Sequence, residues 1–380
     1  MLNRLLKRLA LNLLLLPYDL YAYAGDVKSR LRKQDRIIFG EQKGGLAAPS
    51  PCKRAAIVAA YPNRHSLPFL ANLLDGLAAN GFFVLVVAGE KLPPDFEDFI
   101  CARCHHLIEK YTTGRDFGSY KTGWEWINKH INNNELGVVA LVNDSLYWPR
   151  YIEAVIGEIL EQKNDWLCLF ENFQTLYHAQ SFFQMFRAPV FKSNAFIRFW
   201  QNYKSPSARL RVITKGEAGL TRSLFAAGFE PQAYYNSVRL RADILRALTG
   251  KEIPSPLNDV LNITLGFESR KETGRPPVRR DDFLAMLPAD VAHKVSVLAE
   301  KYNPTHSTGL LCNYLYRAPV KRDICYRDVL SMSDLVALAQ GFSPEEKEAM
   351  LLDLRRKGVP ADIAGIRKIP QRLLWTGGRI

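Results

Sequence analysis

An α/β fold with a parallel sheet is predicted by two apolar runs and the helical stretch between them. The runs, at residues 54–62 and 82–90, have the length and composition of buried strands. Between them, residues 67–81 carry leucines at helical spacing and end in Gly81, a common helix stop. A strand, a helix and a second strand in so short a stretch are the usual beginning of a parallel sheet.

The same alternation continues through the middle of the chain. Strands are predicted at 105–110 and 137–142, with a helix at 117–133 between them. A helix is also predicted from about Gly216 to Gly228, and beyond residue 240 the pattern becomes helical. Because ligands bind beyond the carboxyl ends of parallel strands, we expect the functional residues at that edge.

The distribution of charge indicates an anionic partner. The net charge is +13, and residues 1–36 and 353–380 contribute +5 each. No nucleic-acid-binding motif accompanies these basic ends, so we expect an anionic membrane surface rather than nucleic acid as the partner. The six cysteines have no disulfide-framework spacing, and "CARCHH" at 101–106 lacks the second pair that a zinc site needs.

The N-terminal stretch "MLNRLLKRLALNLLLLP" predicts an amphipathic helix that lies on a membrane. Arg4, Lys7 and Arg8 share one face and leucines fill the other. A plain capping helix and a cleaved secretory signal are alternatives. The signal is disfavoured because Pro17 interrupts the apolar run and Asp19 precedes the supposed cleavage site. No run of 18 uncharged apolar residues occurs, so no transmembrane helix is predicted.

Asn143, Asp144 and Ser145 follow the strand at 137–142 and are the central candidates for a site. A carboxylate at this position can hold Mg²⁺, which commonly takes one or two protein carboxylates together with phosphate oxygens. The alternative is that these residues only begin the next helix, because Asn, Asp and Ser are common helix N-caps.

Two further segments carry candidate polar groups. In "GRDFGSYKTG", Arg115 could pair with phosphate and Asp116 could accept a hydrogen bond from a base or ribose, although such pairs also occur in ordinary turns. In "GEAGLTRSLFAAGF", Glu217 would serve as a general base if partial burial raises its pKa. The alternative for Glu217 is its preference for the first turn of a helix.

Five motifs in this order resemble one family. The segments "GRDFGSY", "NDSLYWP", "HAQSFFQMF", "EAGLTRSLFAAGF" and "NPTH…APVKRD" are similar to the rhamnan synthesis protein F family of bacterial polysaccharide glycosyltransferases, over roughly residues 54–330. The resemblance implies a GT-A-like, Rossmann-type mixed sheet flanked by helices, with an N-terminal amphipathic helix and a helical C-terminal region. It implies a helix and linker at 1–53, a nucleotide-sugar domain at 54–240 and the helical region at 241–380.

The resemblance also implies roles for individual residues. Asp144 would hold Mg²⁺ or Mn²⁺ and the donor diphosphate, and Glu217 would be the base of an inverting transfer. The residues expected to bind the donor are Gly114, Arg115, Asp116, Asn143 and Ser145. Those expected at the acceptor or at a diphosphate are His178, Gln180, His306, Lys321 and Arg322, and Ser181 and Asn303 lie in the same motifs.

The implied reaction moves a sugar, rhamnose or another deoxyhexose, from a nucleotide diphosphate donor to a lipid-linked cell-surface polysaccharide at the cytoplasmic face of the membrane. Trp148 and the segment at 169–173 depart from the family pattern and are expected near the sugar or acceptor pocket. The competing hypothesis is a noncatalytic glycosyltransferase-like module that binds polysaccharide or acts as a scaffold. The single acidic residue in "NDS" is its best support.

Overall fold

The computed structural model of the protein describes most of the chain between residues 37 and 357. The described residues are 23–24, 26–28, 31, 37–111, 113–174, 176–206, 208–249, 255–267, 286–327 and 330–357. The predicted N-terminal amphipathic helix lies outside the described residues. Within them, no helix is both long enough and apolar enough to cross a membrane.

A mixed sheet forms the centre of the fold, as predicted. The strands of its first half run β1-β4-β3-β2-β5 and those of its second half continue β10-β7-β11. Strands β2, β3, β4 and β5 run parallel to one another. Strand β1 pairs antiparallel with β4, and β10 pairs antiparallel with β5. The bounds are β1 Ile38–Lys43, β2 Arg54–Ala60, β3 Phe83–Ala88, β4 His106–Lys110, β5 Val138–Asn143, β6 Leu146–Tyr147, β7 Trp166–Cys168, β8 Glu171–Asn172, β9 His178–Ala179, β10 Phe183–Arg187, β11 Gln232–Ala233 and β12 Val320–Lys321.

Helices cover both faces of this sheet because its central strands are apolar on both faces. In β2, Ala56 and Val58 pack into one apolar cluster and Ile57 packs into another on the opposite face. The helices are α1 Leu67–Ala79, α2 Pro94–Cys101, α3 Arg115–His130, α4 Ile152–Glu161, α5 Ala188–Phe191, α6 Asn194–Asn202, α7 Arg209–Val212, α8 Ala218–Phe225, α9 Ser237–Leu248, α10 Ser255–Leu265, α11 Pro288–Lys301, α12 Pro304–Ser307, α13 Gly309–Tyr316, α14 Met332–Leu338 and α15 Pro344–Lys357.

Two predictions about local structure were wrong. The segment at 1–53, expected to be a helix and a linker, contains β1, which pairs with the edge of the sheet at β4. The helix predicted to begin near Gly216 instead continues from α7 through a π-helical turn, Ile213–Glu217, into α8. Glu217 therefore lies inside a continuous helical path and does not occupy a first turn, which removes the helix-start explanation for its presence.

The C-terminal helices pack against the same core as the sheet. Leu335 of α14 and Leu354 of α15 are buried in the apolar cluster that contains Val58. Helix α15 begins with reciprocal hydrogen bonds, in which the Ser343 N–H donates to the Glu346 carboxylate and the Glu346 N–H donates to Ser343 Oγ. This start fixes the helix whose far end reaches the site.

Candidate active site

A cavity of about 650 Å³ opens at the carboxyl ends of β2 and β5. Of the residues that the sequence analysis assigned to the donor, the acceptor, a diphosphate or a metal, all line it except Gly114. The predicted residues in its wall are Arg115, Asp116, Asn143, Asp144, Ser145, His178, Gln180, Glu217, His306, Lys321 and Arg322. The structure thus brings together residues more than 200 positions apart along the chain.

Gly114 shapes the start of α3, which carries Arg115 and Asp116 to the cavity. Gly114 has φ +72°, and Arg115 follows with φ 50°. A Cβ on Gly114 would lie 2.7 Å from the Cβ of Ser205, so a larger residue meets both backbone strain and a clash. Its part is conformational, since it lets the chain turn sharply before Asp116.

Two carboxylates share one hydroxyl in what we call the acidic cluster: Asp116, Ser181, Glu217 and His178. Ser181 Oγ lies 2.8 Å from Asp116 Oδ2 and 3.1 Å from Glu217 Oε1. His178 Nε2 lies 3.2 Å from Glu217 Oε2, and His178 Nδ1 lies 2.8 Å from the carbonyl oxygen of Leu176. Glu217 is thus held at both of its carboxylate oxygens.

The pKa values of the two carboxylates are shifted in opposite directions. Burial and the charge of Glu217 raise the pKa of Asp116 to about 6. Burial also acts to raise the pKa of Glu217, but His178, Ser181 and Lys321 outweigh it, so that this pKa is lowered. The sequence analysis expected the raised pKa at Glu217, whereas the structure assigns it to Asp116. Glu217 in turn raises the pKa of His178, against the effect of its burial.

A second set of charges, the arginine network, consists of Asp144, Arg322 and Asp353. Arg322 Nε and Nη2 donate to the two carboxylate oxygens of Asp353, at 3.0 and 3.1 Å. Arg322 Nη1 donates to the carbonyl oxygen of Asp144 at 2.9 Å and lies 3.7 Å from its Oδ2. Asp353 is fully buried and also accepts from Asn63 and Tyr147. All three charged groups are buried, and the one guanidinium contacts both carboxylates.

Lys321 stands between the two sets of charges. Its Nζ donates to Ser145 Oγ at 2.9 Å and lies 3.8 Å from the centre of the Phe182 ring. Burial lowers its pKa to about 8. A cation that is poorly hydrated in this way is well placed to bind an anionic ligand.

Neutral amide groups occupy another part of the wall. Gln180 Nε2 donates to Asn303 Oδ1 at 3.0 Å, and Asn303 Oδ1 also accepts from the Thr305 N–H. His306 Nε2 is paired with Asp323 Oδ1 at 2.9 Å. His306 therefore contacts an acidic side chain, and its partner Asp323 also lies in the wall.

Asp144 can hold a divalent ion together with a ligand's phosphates. Its Oδ2 accepts from the Tyr61 N–H at 2.8 Å and lies near the Arg322 guanidinium. Among the described residues, no group of three or more His, Cys, Asp or Glu could hold a metal. The single carboxylate fits an ion that is shared with a diphosphate, which is the common mode for Mg²⁺.

Several residues of the cavity wall were missed by the sequence analysis. Asp353 and Arg356 lie on α15, far along the chain from the recognised motifs. Arg209 and Gln174 also line the cavity, whereas Asn172, another residue of the wall, belongs to the segment 169–173 that the sequence analysis expected near the pocket. No local sequence pattern marks these residues, because only the packing of α15 and of the neighbouring loops brings them to the site.

Trp148 was expected near the pocket but belongs to the core. It is fully buried, packs against Phe183 and does not line the cavity. Its indole Nε1 donates to the carbonyl oxygen of Asn143 at 3.1 Å. Trp148 therefore supports the backbone at the end of β5 and does not contact a ligand in the cavity.

Comparison with known proteins gives distant relatives. The uncharacterized protein y4gN of Sinorhizobium fredii is 28% identical over 221 residues, which is 56% of this chain and 56% of that protein. The virulence protein VirA of Vibrio anguillarum is 22% identical over 261 residues, or 68% of this chain and 74% of that protein. The chain thus spans little more than half the length of the first of these relatives.

Two solved structures are similar at a TM-score of 0.32. The 4-diphosphocytidyl-2C-methyl-D-erythritol synthase of Anaerococcus prevotii is 11% identical and aligns with 50% of this chain and 89% of its own. A mannosyltransferase of Pyrobaculum calidifontis, solved with GDP-Man and Mn²⁺, is 9% identical and aligns with 91% of this chain and 98% of its own.

The family model of rhamnan synthesis protein F matches residues 84–253. This range contains β5 with Asn143 and Asp144, the start of α3 with Asp116, and Glu217. The match confirms the resemblance predicted from the five motifs: over residues 84–253 this chain is similar to the rhamnan synthesis protein F family.

Proposed function

We propose that the protein is a glycosyltransferase that moves a sugar from a nucleotide diphosphate donor to a hydroxyl group of a growing polysaccharide. One observation carries the proposal. A pair of carboxylates, Asp116 and Glu217, faces the same cavity as the cations Lys321 and Arg322. A base for the acceptor and positive charge for the leaving diphosphate are the two requirements of this reaction.

The proposed mechanism is a single displacement with inversion. Glu217 takes the proton of the acceptor hydroxyl while the acceptor oxygen forms a bond to the anomeric carbon. The bond from that carbon to the diphosphate oxygen breaks, and the nucleoside diphosphate leaves with the electron pair. Lys321 and Arg322 stabilise the charge that develops on the diphosphate. Arg115, an exposed residue at the start of α3, would pair with the nucleotide's phosphate.

A divalent ion, Mg²⁺ or Mn²⁺, would be held by Asp144 together with the donor phosphates. When bound, such an ion neutralises charge on the diphosphate. Arg322 lies 3.7 Å from Asp144 Oδ2 and would compete for that oxygen, so the protein's own cations carry part of the same task.

Donor, acceptor and location are proposed more specifically from the family. The name of the family favours rhamnose or another deoxyhexose as the sugar, and a lipid-linked cell-surface polysaccharide as the acceptor. The basic ends of the chain favour a peripheral position on the cytoplasmic face of an anionic membrane.

The second candidate is a noncatalytic module that binds polysaccharide or acts as a scaffold. The engagement of Asp144 by Arg322 favours it, because a carboxylate in an ion pair is less available to a metal. The two candidates differ in whether nucleotide sugar is consumed.

The test is release of nucleoside diphosphate from a panel of nucleotide sugars, with lipid-linked glycan acceptors, by the wild type and by Glu217→Gln. We expect Glu217→Gln to lose about 10²- to 10⁴-fold in turnover and to bind nucleoside diphosphate as the wild type does. Glu161→Gln, an exposed change at the end of α4, is the matched control and should leave turnover unchanged. Polysaccharide binding without turnover of any donor would instead support the noncatalytic module.

A further inference from the structure

We propose that His178, Glu217, Ser181 and Asp116 share protons as one unit, in which His178 is a positioning residue that keeps Glu217 ionised and Asp116 is the final acceptor of the substrate's proton. The role in turnover rests on the proposed function. The sharing itself is a property of the folded protein and follows from counting the protons that its contacts require.

The first proton is fixed by the tautomer of His178. The carbonyl oxygen of Leu176, 2.8 Å from Nδ1, can only accept, so Nδ1 carries hydrogen. The 3.2 Å contact between Nε2 and Glu217 Oε2 then needs one more proton, either on Nε2 or on the carboxyl group. Both ring nitrogens of His178 thus contact protein atoms, and the residue also lines the cavity, where the sequence analysis expected it at the acceptor or at a diphosphate.

The second proton concerns Ser181. Its single hydroxyl hydrogen faces two carboxylate oxygens, Asp116 Oδ2 at 2.8 Å and Glu217 Oε1 at 3.1 Å. It can be donated to only one of them. The other contact becomes a hydrogen bond only if that carboxyl group is protonated and donates to Ser181 Oγ. The cluster is therefore fully hydrogen-bonded only after it has taken up one proton beyond that of His178.

The surrounding charges decide which carboxyl group takes that proton. Glu217 faces His178, Lys321 and Asp116, and Asp116 faces Glu217 and Lys321. The imidazolium therefore favours the ionised form of Glu217 and leaves Asp116 as the weaker acid of the pair. The Asn143 amide also donates to Asp116 Oδ2, at 3.2 Å, and a protonated carboxyl oxygen still has a lone pair for it.

These contacts define a balanced relay. In the resting cluster, Ser181 donates to ionised Asp116. Glu217 takes the proton of the acceptor hydroxyl and passes a proton to Ser181 Oγ, while the hydroxyl proton of Ser181 moves to Asp116. Glu217 is ionised again, Ser181 now donates to it, and Asp116 releases the proton to solvent after the products leave. No proton is gained or lost overall beyond the one that the acceptor supplies.

The direct test is an NMR titration of the wild type with ¹³C-labelled Asp and Glu and ¹⁵N-labelled His. Each carboxyl carbon of Asp116 and Glu217 should titrate in two steps, because two interacting groups share both transitions. Ser181→Ala should bring the two steps closer together, because only the repulsion between the carboxylates remains, and Ser181→Thr, which retains the hydroxyl, should restore the wild-type separation. Independent single-step titration in the wild type would overturn the proposal. This titration needs no substrate, so it separates failure of the relay from failure of the proposed function.

The kinetic test uses His178→Gln and the pH profile of kcat/KM. Without the imidazolium, the acid limb should move up by about one to three pH units, the range expected for loss of an adjacent opposite charge. The KM for the donor should stay unchanged, and Ser181→Ala should lower kcat about 10- to 100-fold. A raised donor KM with an unchanged pH profile would show that His178 binds the ligand, and would overturn its role as a positioning residue.

Discussion

The acidic cluster and the arginine network lie in the wall of one cavity but treat charge in opposite ways. In the arginine network, the buried guanidinium of Arg322 is met by Asp353 through two hydrogen bonds and by Asp144. In the acidic cluster, two carboxylates face one hydroxyl, and the pKa of Asp116 is raised to about 6. In the first set a cation lies between the two carboxylates, and in the second the two carboxylates lie on either side of a neutral hydroxyl and repel each other.

Because of this difference, the arginine network holds the geometry of the site, whereas the acidic cluster takes up protons. A buried ion pair with a full set of hydrogen bonds holds its geometry, because losing one partner leaves a buried charge uncompensated. Two carboxylates held close together repel each other, which raises their affinity for a proton, and a general base requires such affinity. We therefore expect changes in the arginine network to alter stability, and changes in the acidic cluster to alter proton affinity.

The largest effect is expected for Asp353→Ala, which leaves Arg322 buried beside Asp144 alone. We expect the free energy of unfolding to fall by about 3–5 kcal/mol, measured by urea denaturation at pH 7. Asp98→Ala, at an exposed position of α2, should change it by no more than about 0.5 kcal/mol. Asp353→Asn, which keeps an oxygen that can accept from Arg322, should lose less, and equal losses in Asp353→Asn and Asp353→Ala would contradict a role for this hydrogen bond.

The opposite sign is expected for Asp116→Asn in the acidic cluster. The folded pKa of Asp116 lies above the ordinary value, so the cost of its ionisation to the folded state grows as the pH rises from about 4 to about 6 and is complete above that range. Removing the charge should raise the free energy of unfolding by about 1–3 kcal/mol at pH 7.5 and leave it unchanged at pH 4. Turnover should fall in the same variant. A loss of stability at pH 7.5 would contradict the repulsion between Asp116 and Glu217 in the folded protein.

A smaller effect is expected at Lys321, which stands between the two sets. Its pKa is lowered to about 8, so it loses its charge as the pH rises through that value. Nucleoside diphosphate affinity, measured by calorimetry, should weaken about tenfold between pH 7 and pH 9.5. Lys321→Arg remains charged over this range and should flatten the profile, whereas an equal decline in both proteins would place the titrating group elsewhere.

The smallest effect is expected from removal of divalent metal. Because Arg322 already lies near Asp144 Oδ2, an ion there adds to positive charge that is present. We expect chelation to weaken nucleoside diphosphate binding by about tenfold or less, and Asp144→Asn to bind equally with and without Mn²⁺. If nucleoside diphosphate binding by Asp144→Asn still depended on metal as in the wild type, a different residue would hold the ion.

Much of the fold was predictable because its strands are uniformly apolar and its helices are periodic. The strands that carry the site, β2 and β5, were predicted within two residues of their observed ends. Strand β1 was missed because an edge strand with Gly and polar residues resembles a linker. The π-helical turn before Glu217 was missed because no residue pattern distinguishes it from an α-helix.

The candidate site was predictable where short motifs carry it and not where packing does. Asp116, Asn143, Asp144 and Glu217 were named from their motifs and meet in one cavity. The directions of the pKa shifts of Asp116 and Glu217 were not predictable, since the contact between His178 and Glu217 reverses the effect of burial on the pKa of Glu217. Asp353 was not predictable either, because nothing in its helix indicates that its carboxylate reaches Arg322 and Tyr147.

The position of Asp353 has a consequence for synthesis of the chain. Its carboxylate joins Asn63, 290 residues earlier, to Arg322, so this part of the cavity wall cannot form until residue 353 has left the ribosome. Until then, Arg322 has no bidentate partner and the cavity lacks one side. A nascent chain can form its early strands, but it cannot form the complete site before α15 has emerged. Formation of the cavity wall thereby requires translation through residue 353.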